Sequence, residues 1–340
     1  MSSVAQKIWA SMLRRAPWLL YALVVVTFAC LSPKFLAVEN FLNILVQSAP
    51  IAVVAVGMTF VLLTGGIDLS VGSIIFLAGA VGGSLVVRMQ WPVAAVWPVM
   101  AAVGLLCGAV NGLLVTRLRL SPFIVTLAAL FIARGLGLWI TETRALNLPE
   151  AFLGLAAARL LWIPLPVWLL GGLVAAAQFT LSRTPFGRQL YAVGNDPAAA
   201  RKAGVGVERI QVAVYMVCAT TAAVGGMIAL AQLAAVSPNM GQGRELEVIA
   251  AAVLGGASLF GGRGTAVGAV LGALLIETVR NGLNLVDADP YIYPMISGAI
   301  IFLAVLLDSV SHQQMARLTR RKIRPLTDGA SGERGSPYAG

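Results

Sequence analysis

The sequence predicts an all-α membrane protein, a polytopic helix bundle of about ten transmembrane helices, within a range of about eight to ten. Hydrophobic residues make up 59% of the 340-residue chain and charged residues only 11%, whereas an average soluble domain carries about 25% charge. Apolar runs of about 20 residues, the length that crosses a bilayer, also recur along the chain. A large soluble core would not need such runs.

Ten apolar segments are the predicted spans, with boundaries accurate to a few residues. They define a transmembrane domain over residues 17–310, between a cytoplasmic N-terminal segment, residues 1–16, and a polar cytoplasmic tail, residues 311–340, that is predicted to be disordered. In chain order the predicted spans are residues 17–32, 44–63, 71–87, 93–115, 122–140, 165–181, 210–233, 246–260, 265–283 and 292–308.

Basic residues orient these spans. When the N-terminus is placed inside, the predicted cytoplasmic connections hold 17 of the 24 lysines and arginines and the opposite connections hold five. Arg134 and Arg280 lie within spans. This split follows the positive-inside rule, so both termini are predicted to be cytoplasmic. The net charge of +10 then reflects basic loops at an anionic inner leaflet rather than a nucleic-acid surface.

Two similar glycine-rich stretches interrupt the apolar pattern. Gly65-Gly66, between the second and third spans, recur 196 positions later as Gly261-Gly262, between the eighth and ninth. Each pair is followed by four residues and a Val-Gly step, and each lies between two rather short predicted spans. Glycine-interrupted segments at corresponding places of an internal repeat are typical of a transport pathway, where broken helices expose backbone groups to a polar cavity.

Polar residues in and beside the spans have two interpretations. Asp68 and Ser70 carry oxygens that can accept from free N–H groups where the third span begins, so Asp68 is either a helix cap or part of a translocation path or its gate. Asn111 and Asn281 can bond a neighbouring helix, which is the commoner case, or a hydroxyl-rich solute.

Charged and reactive residues give little sign of catalysis. Glu277 and Arg280 are three residues apart on one predicted helix face, which favours an internal ion pair. His312 is the only histidine, and no paired carboxylates or nucleophile motif accompany it. The three cysteines lack metal-ligand spacing. No lysine stands in the GxxxxGK[ST] pattern that cradles phosphates, so ATP hydrolysis by that chemistry is not expected.

The longest internal cytoplasmic connection, residues 182–209, contains a short predicted helix. Asp196 can cap it, Pro197 can occupy its first position, residues 198–203 favour helix, and Gly204 can end it. Solvated linkers rarely carry caps at both ends of an alanine run. The pattern therefore favours a surface helix that docks onto a partner.

Three segments carry a resemblance to a known family: IAVVAVGMTFVLLTGGIDLSVGS, NGLLVTRLRLSPFIVTLAALFIARGL and TPFGRQLYAVGNDPAAARKAGV. The chain resembles, over roughly residues 35–310, the ribose-type monosaccharide permeases of bacterial ATP-binding-cassette importers. The resemblance implies an inner-membrane subunit that pairs with a second permease, as a homodimer or a heterodimer. It also implies two cytoplasmic ATPases, which bind ATP and Mg²⁺, and a periplasmic sugar-binding protein.

The expected function is therefore import of a monosaccharide (pentose, hexose or deoxysugar) by alternating access, with no cofactor in this chain. A branched-chain amino acid permease of the same architecture and an ion-coupled secondary transporter are the alternatives. The residues predicted for the translocation path or gate are Gly65, Gly66, Asp68, Ser70, Asn111, Gly261, Gly262 and Asn281. The coupling helix that the resemblance implies comprises Asn195, Asp196, Pro197, Ala198, Ala199, Ala200, Arg201, Lys202, Ala203 and Gly204.

Overall fold

The computed structural model describes residues 3–289, 291–300, 302–303, 305–306 and 309, which form a helical bundle with two very small two-stranded sheets. Strand β1 (Leu146–Asn147) pairs with β4 (Ala235–Val236), and β2 (Arg159–Leu160) pairs with β3 (Ile163–Pro164), both antiparallel. The helices are α1 (Ser3–Leu31), α2 (Val38–Leu63), α3 (Val71–Val87), α4 (Val93–Arg117), α5 (Pro122–Thr141), α6 (Leu153–Ala157), α7 (Leu165–Arg183), α8 (Pro185–Asn195), α9 (Pro197–Lys202), α10 (Val207–Leu233), α11 (Arg244–Leu254) and α12 (Ala266–Leu285).

Most predicted spans correspond to helices, which confirms the all-α membrane fold. Six described helices are long and apolar enough to cross a bilayer, namely α2, α4, α5, α7, α10 and α12; α3 and the apolar part of α1, Pro17–Leu31, are shorter. The last predicted span, residues 292–308, is helical over residues 292–300, 302–303 and 305–306, and its other residues lie outside the described part of the chain. The predicted tail, residues 311–340, also lies outside that part.

The predicted span 246–260 is wrong in length. Helix α11 has only 11 residues, about 16 Å at the α-helical rise, which is half of a bilayer. The chain turns at Gly255 and at Gly256, whose φ of 94° is open to glycine at little cost. The apolar residues that follow are part of a loop and not of the helix.

Helices α2 and α10 form the centre of the bundle and run antiparallel. Their contact is close because Gly57 lies against Cys218 and Thr221, and Gly225 lies against the backbone of Pro50. Almost all of α2 from Ala49 onward is buried, whereas α4, α5 and α7 expose most of their apolar surface. Exposed apolar helices at the periphery suit contact with lipid.

Glycines spaced by four residues bring helices together. Gly104, Gly108 and Gly112 lie on one face of α4 and contact the α10 backbone at successive turns. Gly268 and Gly272 contact the backbone of α11 in the same way. Such close approach replaces the hydrophobic driving force that helices lack within lipid.

The bundle has two different ends. Helices α8 and α9 join the C-terminus of α7 to the N-terminus of α10, and this end is called the α9 end. The two small sheets, one of which is the β2–β3 hairpin, lie at the opposite end, called the hairpin end. Because α2 and α4 run antiparallel to α10, their C-terminal residues Leu63 and Arg117 are at the α9 end.

Candidate functional site

Asp68, Ser70 and Asn111 form one buried cluster, and none of them is more than 1% exposed. Oδ1 of Asp68 accepts from the Ser70 N–H at 2.9 Å and from the Ser70 hydroxyl at 2.5 Å. The Asn111 amide donates to the Ser70 hydroxyl at 2.9 Å. The cluster therefore ties the N-terminus of α3 to the middle of α4.

The predicted capping roles are only partly right. Asp68 accepts the Ser70 N–H, one of the free donors at the start of α3. Ser70 itself makes no side-chain cap, because its hydroxyl is used between Asp68 and Asn111. Oδ2 of Asp68 has no hydrogen-bond partner within the described part of the chain.

The cluster lies inside the bundle and not in a surface turn. Residues 64–70 are non-helical and run back between the helices after α2 ends. The Thr126 and Tyr215 hydroxyls donate to the Ile67 carbonyl at 3.4 and 3.5 Å. Asn111 is six residues from the end of α4, about 9 Å into the bundle. Irregular backbone at this depth is stable only where protein surrounds it.

The two glycine pairs of the repeat meet each other at the α9 end. Gly65, Gly261 and Gly262 have φ values of 75°, 87° and 71°, so these residues form turns. The Gly262 N–H donates to the Leu63 carbonyl at 2.9 Å. The expectation that both pairs join short helices holds for α3 and α11 but not for α2 and α12, which have 26 and 20 residues.

The end of α8 lies on both glycine loops. Gly194 contacts the Leu63 carbonyl so closely that a Cβ atom would not fit. Asn195 lies against Gly262, and the Tyr191 hydroxyl donates to the Gly264 carbonyl at 2.7 Å. The sequence did not predict α8, although the Thr184-Pro185 pair that caps it is a start signal.

Helix α9 follows α8 directly and has the predicted caps. Oδ1 of Asp196 accepts from the N–H groups of Ala198 and Ala199 at 2.9 and 3.0 Å. Gly204 has a φ of 84° just beyond the C-terminus. The predicted surface helix is confirmed, and of its alanines Ala200 is buried at 5% exposure.

Asn281 does not join the Asp68 cluster. Its side-chain amide donates to Oδ1 of Asn40 at 2.9 Å, and the side-chain amide of Asn40 donates to Oδ1 of Asn281 at 3.0 Å. This reciprocal pair joins α12 to α2, the helix-to-helix role that is the commoner one for an amide in a span.

The predicted ion pair is confirmed and is part of a larger network. Arg280 contacts Glu277 at 3.2 Å and Glu247 at 3.3 Å, and Glu247 also accepts from Arg244 at 2.7 Å. The Tyr293 hydroxyl is 2.6 Å from the Arg280 guanidinium. Four charges of α11 and α12 are therefore joined in one network: Arg244, Glu247, Glu277 and Arg280.

Residues 237–243, which link β4 to α11, were missed as functional candidates. Arg134 of α5 donates to the carbonyls of Met240 at 2.7 Å and Pro238 at 3.3 Å. Gly241 packs directly on Gly72 of α3. The charge of Arg134 within a predicted span was the available signal, because such a charge needs a partner at membrane depth.

No metal site accompanies these features: the described residues contain no group of three His, Cys, Asp or Glu side chains placed to hold an ion. The polar groups at membrane depth are amides, hydroxyls, backbone carbonyls, the Asp68 carboxylate, the Arg134 guanidinium and the ion pairs of α11 and α12. Such groups bind polar solutes or neighbouring helices by hydrogen bonds.

Comparison with known proteins connects this fold to a family. A family model described as the permease component of a branched-chain amino acid transport system matches residues 40–305. The ribose import permease protein RbsC of Escherichia coli (strain K12) is 41% identical over 287 residues, 82% of this chain and 88% of that protein. The D-allose permease AlsC of the same strain is 35% identical, with 84% and 89% covered. The xylose permease XylH is 32% identical, with 82% and 87% covered. No solved structure matches.

A multi-pass helical bundle with polar groups and irregular backbone between its helices defines a membrane transport protein. The family match covers most of the chain and the relatives are similar over nearly their full length. The chain belongs to this family of transport-system permease components.

Proposed function

We propose that this chain is the membrane permease of an ATP-driven importer that moves a monosaccharide from the periplasm to the cytoplasm. The observation that carries the proposal is the 41% identity to a ribose import permease over 82% of this chain. The allose and xylose permeases support the same substrate class. The sugar is a pentose or hexose, and deoxysugars of the same size belong to that class.

The proposed complex contains a second permease, a periplasmic sugar-binding protein and two cytoplasmic ATPases that bind ATP and Mg²⁺. The chain crosses the inner membrane with the α9 end in the cytoplasm, where the basic residues are concentrated. ATP-driven closure of the ATPases pushes the α9 end, and the bundle alternates between outward-open and inward-open states.

We assign the coupling role to α9 because the residues just before it contact the glycine loops. The helix is exposed at Ala199, and the preceding Gly194 and Asn195 lie on both glycine loops. Those loops lead to residues 64–70 and α3 on one side and to α12 on the other. A push on α9 therefore acts on the segment that contains Asp68.

A branched-chain amino acid is the other candidate substrate, because the matching family model is described by that substrate. The family description covers many members, whereas the individual relatives at 32–41% identity are permeases for ribose, allose and xylose. The identity to individual sugar permeases is more specific than the description of the family, so we favour a sugar as the substrate.

The test is uptake into proteoliposomes that contain the chain with its ATPase and sugar-binding protein. We expect ATP-dependent uptake of a monosaccharide, measured with labelled ribose, xylose and allose, and no uptake of leucine. A non-hydrolysable ATP analogue is the control and should abolish the signal. Uptake of leucine but no sugar would make the chain an amino acid permease. Uptake driven by an ion gradient without the ATPase would make it a secondary transporter.

A further inference from the structure

Residues 237–243 carry the chain from the hairpin end into the bundle. At the start of this segment Val236 lies against Gly83, near the C-terminus of α3, and further along Gly241 lies against Gly72 at its N-terminus. The two glycines are eleven residues apart on α3, which corresponds to about 16 Å along the helix axis. The segment thus reaches roughly half the depth of a bilayer before α11 begins.

Three polar side chains of this segment, those of Ser237, Asn239 and Gln242, are exposed. The amides of Asn239 and Gln242 make no side-chain hydrogen bond among the described residues. Lipid chains cannot satisfy an amide, and each unsatisfied amide in hydrocarbon costs several kcal/mol. Water or another polar surface must therefore cover these groups when the protein is in the membrane.

The backbone of the segment is held while these side chains are exposed. Arg134 holds two of its carbonyls, those of Pro238 and Met240, and also lies 4.9 Å from the centre of the Phe76 ring. The tight contact of Gly241 with Gly72 fixes the segment on α3. A rigid backbone that presents free amides is typical of a binding surface.

The nearby arginines of α11 and α12 are already paired, which bears on the solute that this surface suits. Arg244 and Arg280 share the carboxylate of Glu247, and Arg280 also pairs with Glu277. What remains open is the Ser237 hydroxyl, the two amides and the Glu245 carboxylate, which has no salt bridge among the described residues. These groups can bind sugar hydroxyls, and none of them offers a cation to a carboxylate. Such groups match a neutral polyhydroxyl molecule better than an amino acid zwitterion.

We propose that Asn239 and Gln242, with Ser237 beside them, line the water-filled sugar path at mid-membrane depth. A second permease subunit closes the opposite side of the path. The assignment rests on the proposed sugar import and adds its contact residues. It also places the solute contacts in residues 237–243 and not at the Asp68 cluster, whose residues are fully buried in this state.

Thiol accessibility tests the path without measuring transport. Gln242→Cys and Ile132→Cys are made in a background in which the three native cysteines are replaced, and the assembled complex is treated with a charged, membrane-impermeant reagent. Ile132 is the matched control, because it is 63% exposed on α5 and two residues from Arg134. We expect Gln242→Cys to react in the nucleotide-free or the ATP-bound complex, while Ile132→Cys stays unreactive in lipid. Failure of Gln242→Cys to react in both states overturns the proposal.

Transport gives an independent test of sugar contact. Gln242→Leu and Asn239→Leu should each lower sugar uptake about fivefold to tenfold, the effect of one lost hydrogen bond in the path. Stimulation of the ATPase by the loaded binding protein should persist in both variants, because the α9 end is unchanged. Normal uptake in both variants, with a working wild-type complex, overturns the assigned contacts. A wild-type complex that takes up no sugar instead overturns the proposed function, and the thiol experiment still decides whether the path is there.

Discussion

Asp68 has an unusual position for a carboxylate, because it is fully buried and uses only one of its two oxygens among the described residues. Oδ1 accepts twice from Ser70, and Ser70 in turn holds Asn111. The three groups order the non-helical segment 64–70, which would otherwise leave polar backbone groups unsatisfied at membrane depth. The hydrogen bonds that order this segment therefore explain Oδ1. No contact in this state explains Oδ2, so a role for Oδ2 would have to arise in another conformation of the bundle.

Replacement of Asp68 separates these two roles. Asp68→Asn retains an oxygen that can accept from Ser70, whereas Asp68→Leu leaves two buried donors without a partner, at a cost of about 1–3 kcal/mol each. We expect Asn to be much milder than Leu, measured as sugar uptake at equal membrane expression and as thermal stability in detergent. If Asn is as inactive as Leu while its stability is normal, the charge itself is required and the structural account is insufficient.

The glycines of α4 illustrate how two helices pack closely. Gly108 faces the α10 backbone, and a methyl group there would collide with Tyr215 and Met216. Gly135 on α5 has no atom within 4 Å of the same position. Both glycines lie inside helices, where alanine is otherwise preferred by about 0.5–1 kcal/mol.

We therefore expect replacement of glycine by alanine to have different effects on stability at these two positions. Gly108→Ala should destabilise the protein by about 1–3 kcal/mol through overpacking, and Gly135→Ala should be neutral or slightly stabilising. Thermal unfolding in detergent measures both. Equal melting temperatures for the two variants would mean that α4 and α10 are not in contact at Gly108.

The docking role of helix α9 is best tested on its exposed face. Ala200 is buried and its N–H donates to the Asp196 carbonyl at 2.9 Å, so Ala200→Pro would disrupt the packing of α9 on its own chain. Ala199 is exposed on the same turn. A change at Ala199 alters the outer face and leaves that packing intact.

Ala199→Trp should give a permease at normal level in the membrane with roughly tenfold less uptake, the effect of about 1.4 kcal/mol of lost docking energy. Its ATPase should no longer respond to the loaded binding protein. Ala199→Ser, which keeps a small side chain, is the matched control and should behave as wild type. Wild-type uptake in the Trp variant would show that the ATPase docks elsewhere.

The sequence was sufficient for features that depend on nearby residues. Apolar length located most of the spans, and Asp196 and Pro197 located the start of α9. Features that depend on contacts between distant segments were missed. The importance of residues 237–243 follows from Arg134, more than a hundred positions earlier. The half-length of α11 is different, because the turn at Gly255 and Gly256 that ends it is local but lies inside a continuous apolar run.

Together these elements form a connected route from one end of the bundle to its interior. The α9 helix is continuous with the end of α8, which lies on both glycine loops. One loop leads through residues 64–70 to the N-terminus of α3, where Gly72 touches Gly241. Displacement at the α9 end can therefore reach residues 237–243 through direct contacts. The coupling requires that the α9 end faces the ATPases, and its orientation can be measured.

Orientation is tested by labelling single cysteines in a background without the native ones. Ser182, in the last turn of α7, is exposed at the α9 end, and Asn147 of β1 is exposed at the hairpin end. The positive-inside rule predicts that Ser182→Cys reacts with an impermeant reagent only from the cytoplasm and Asn147→Cys only from the periplasm. Intact spheroplasts and inverted vesicles give the two sides, and a permeabilised sample shows that each thiol is reactive. Reaction of both residues from one side would contradict α7 as a span, and exchange of the two sides would place α9 away from the ATPases.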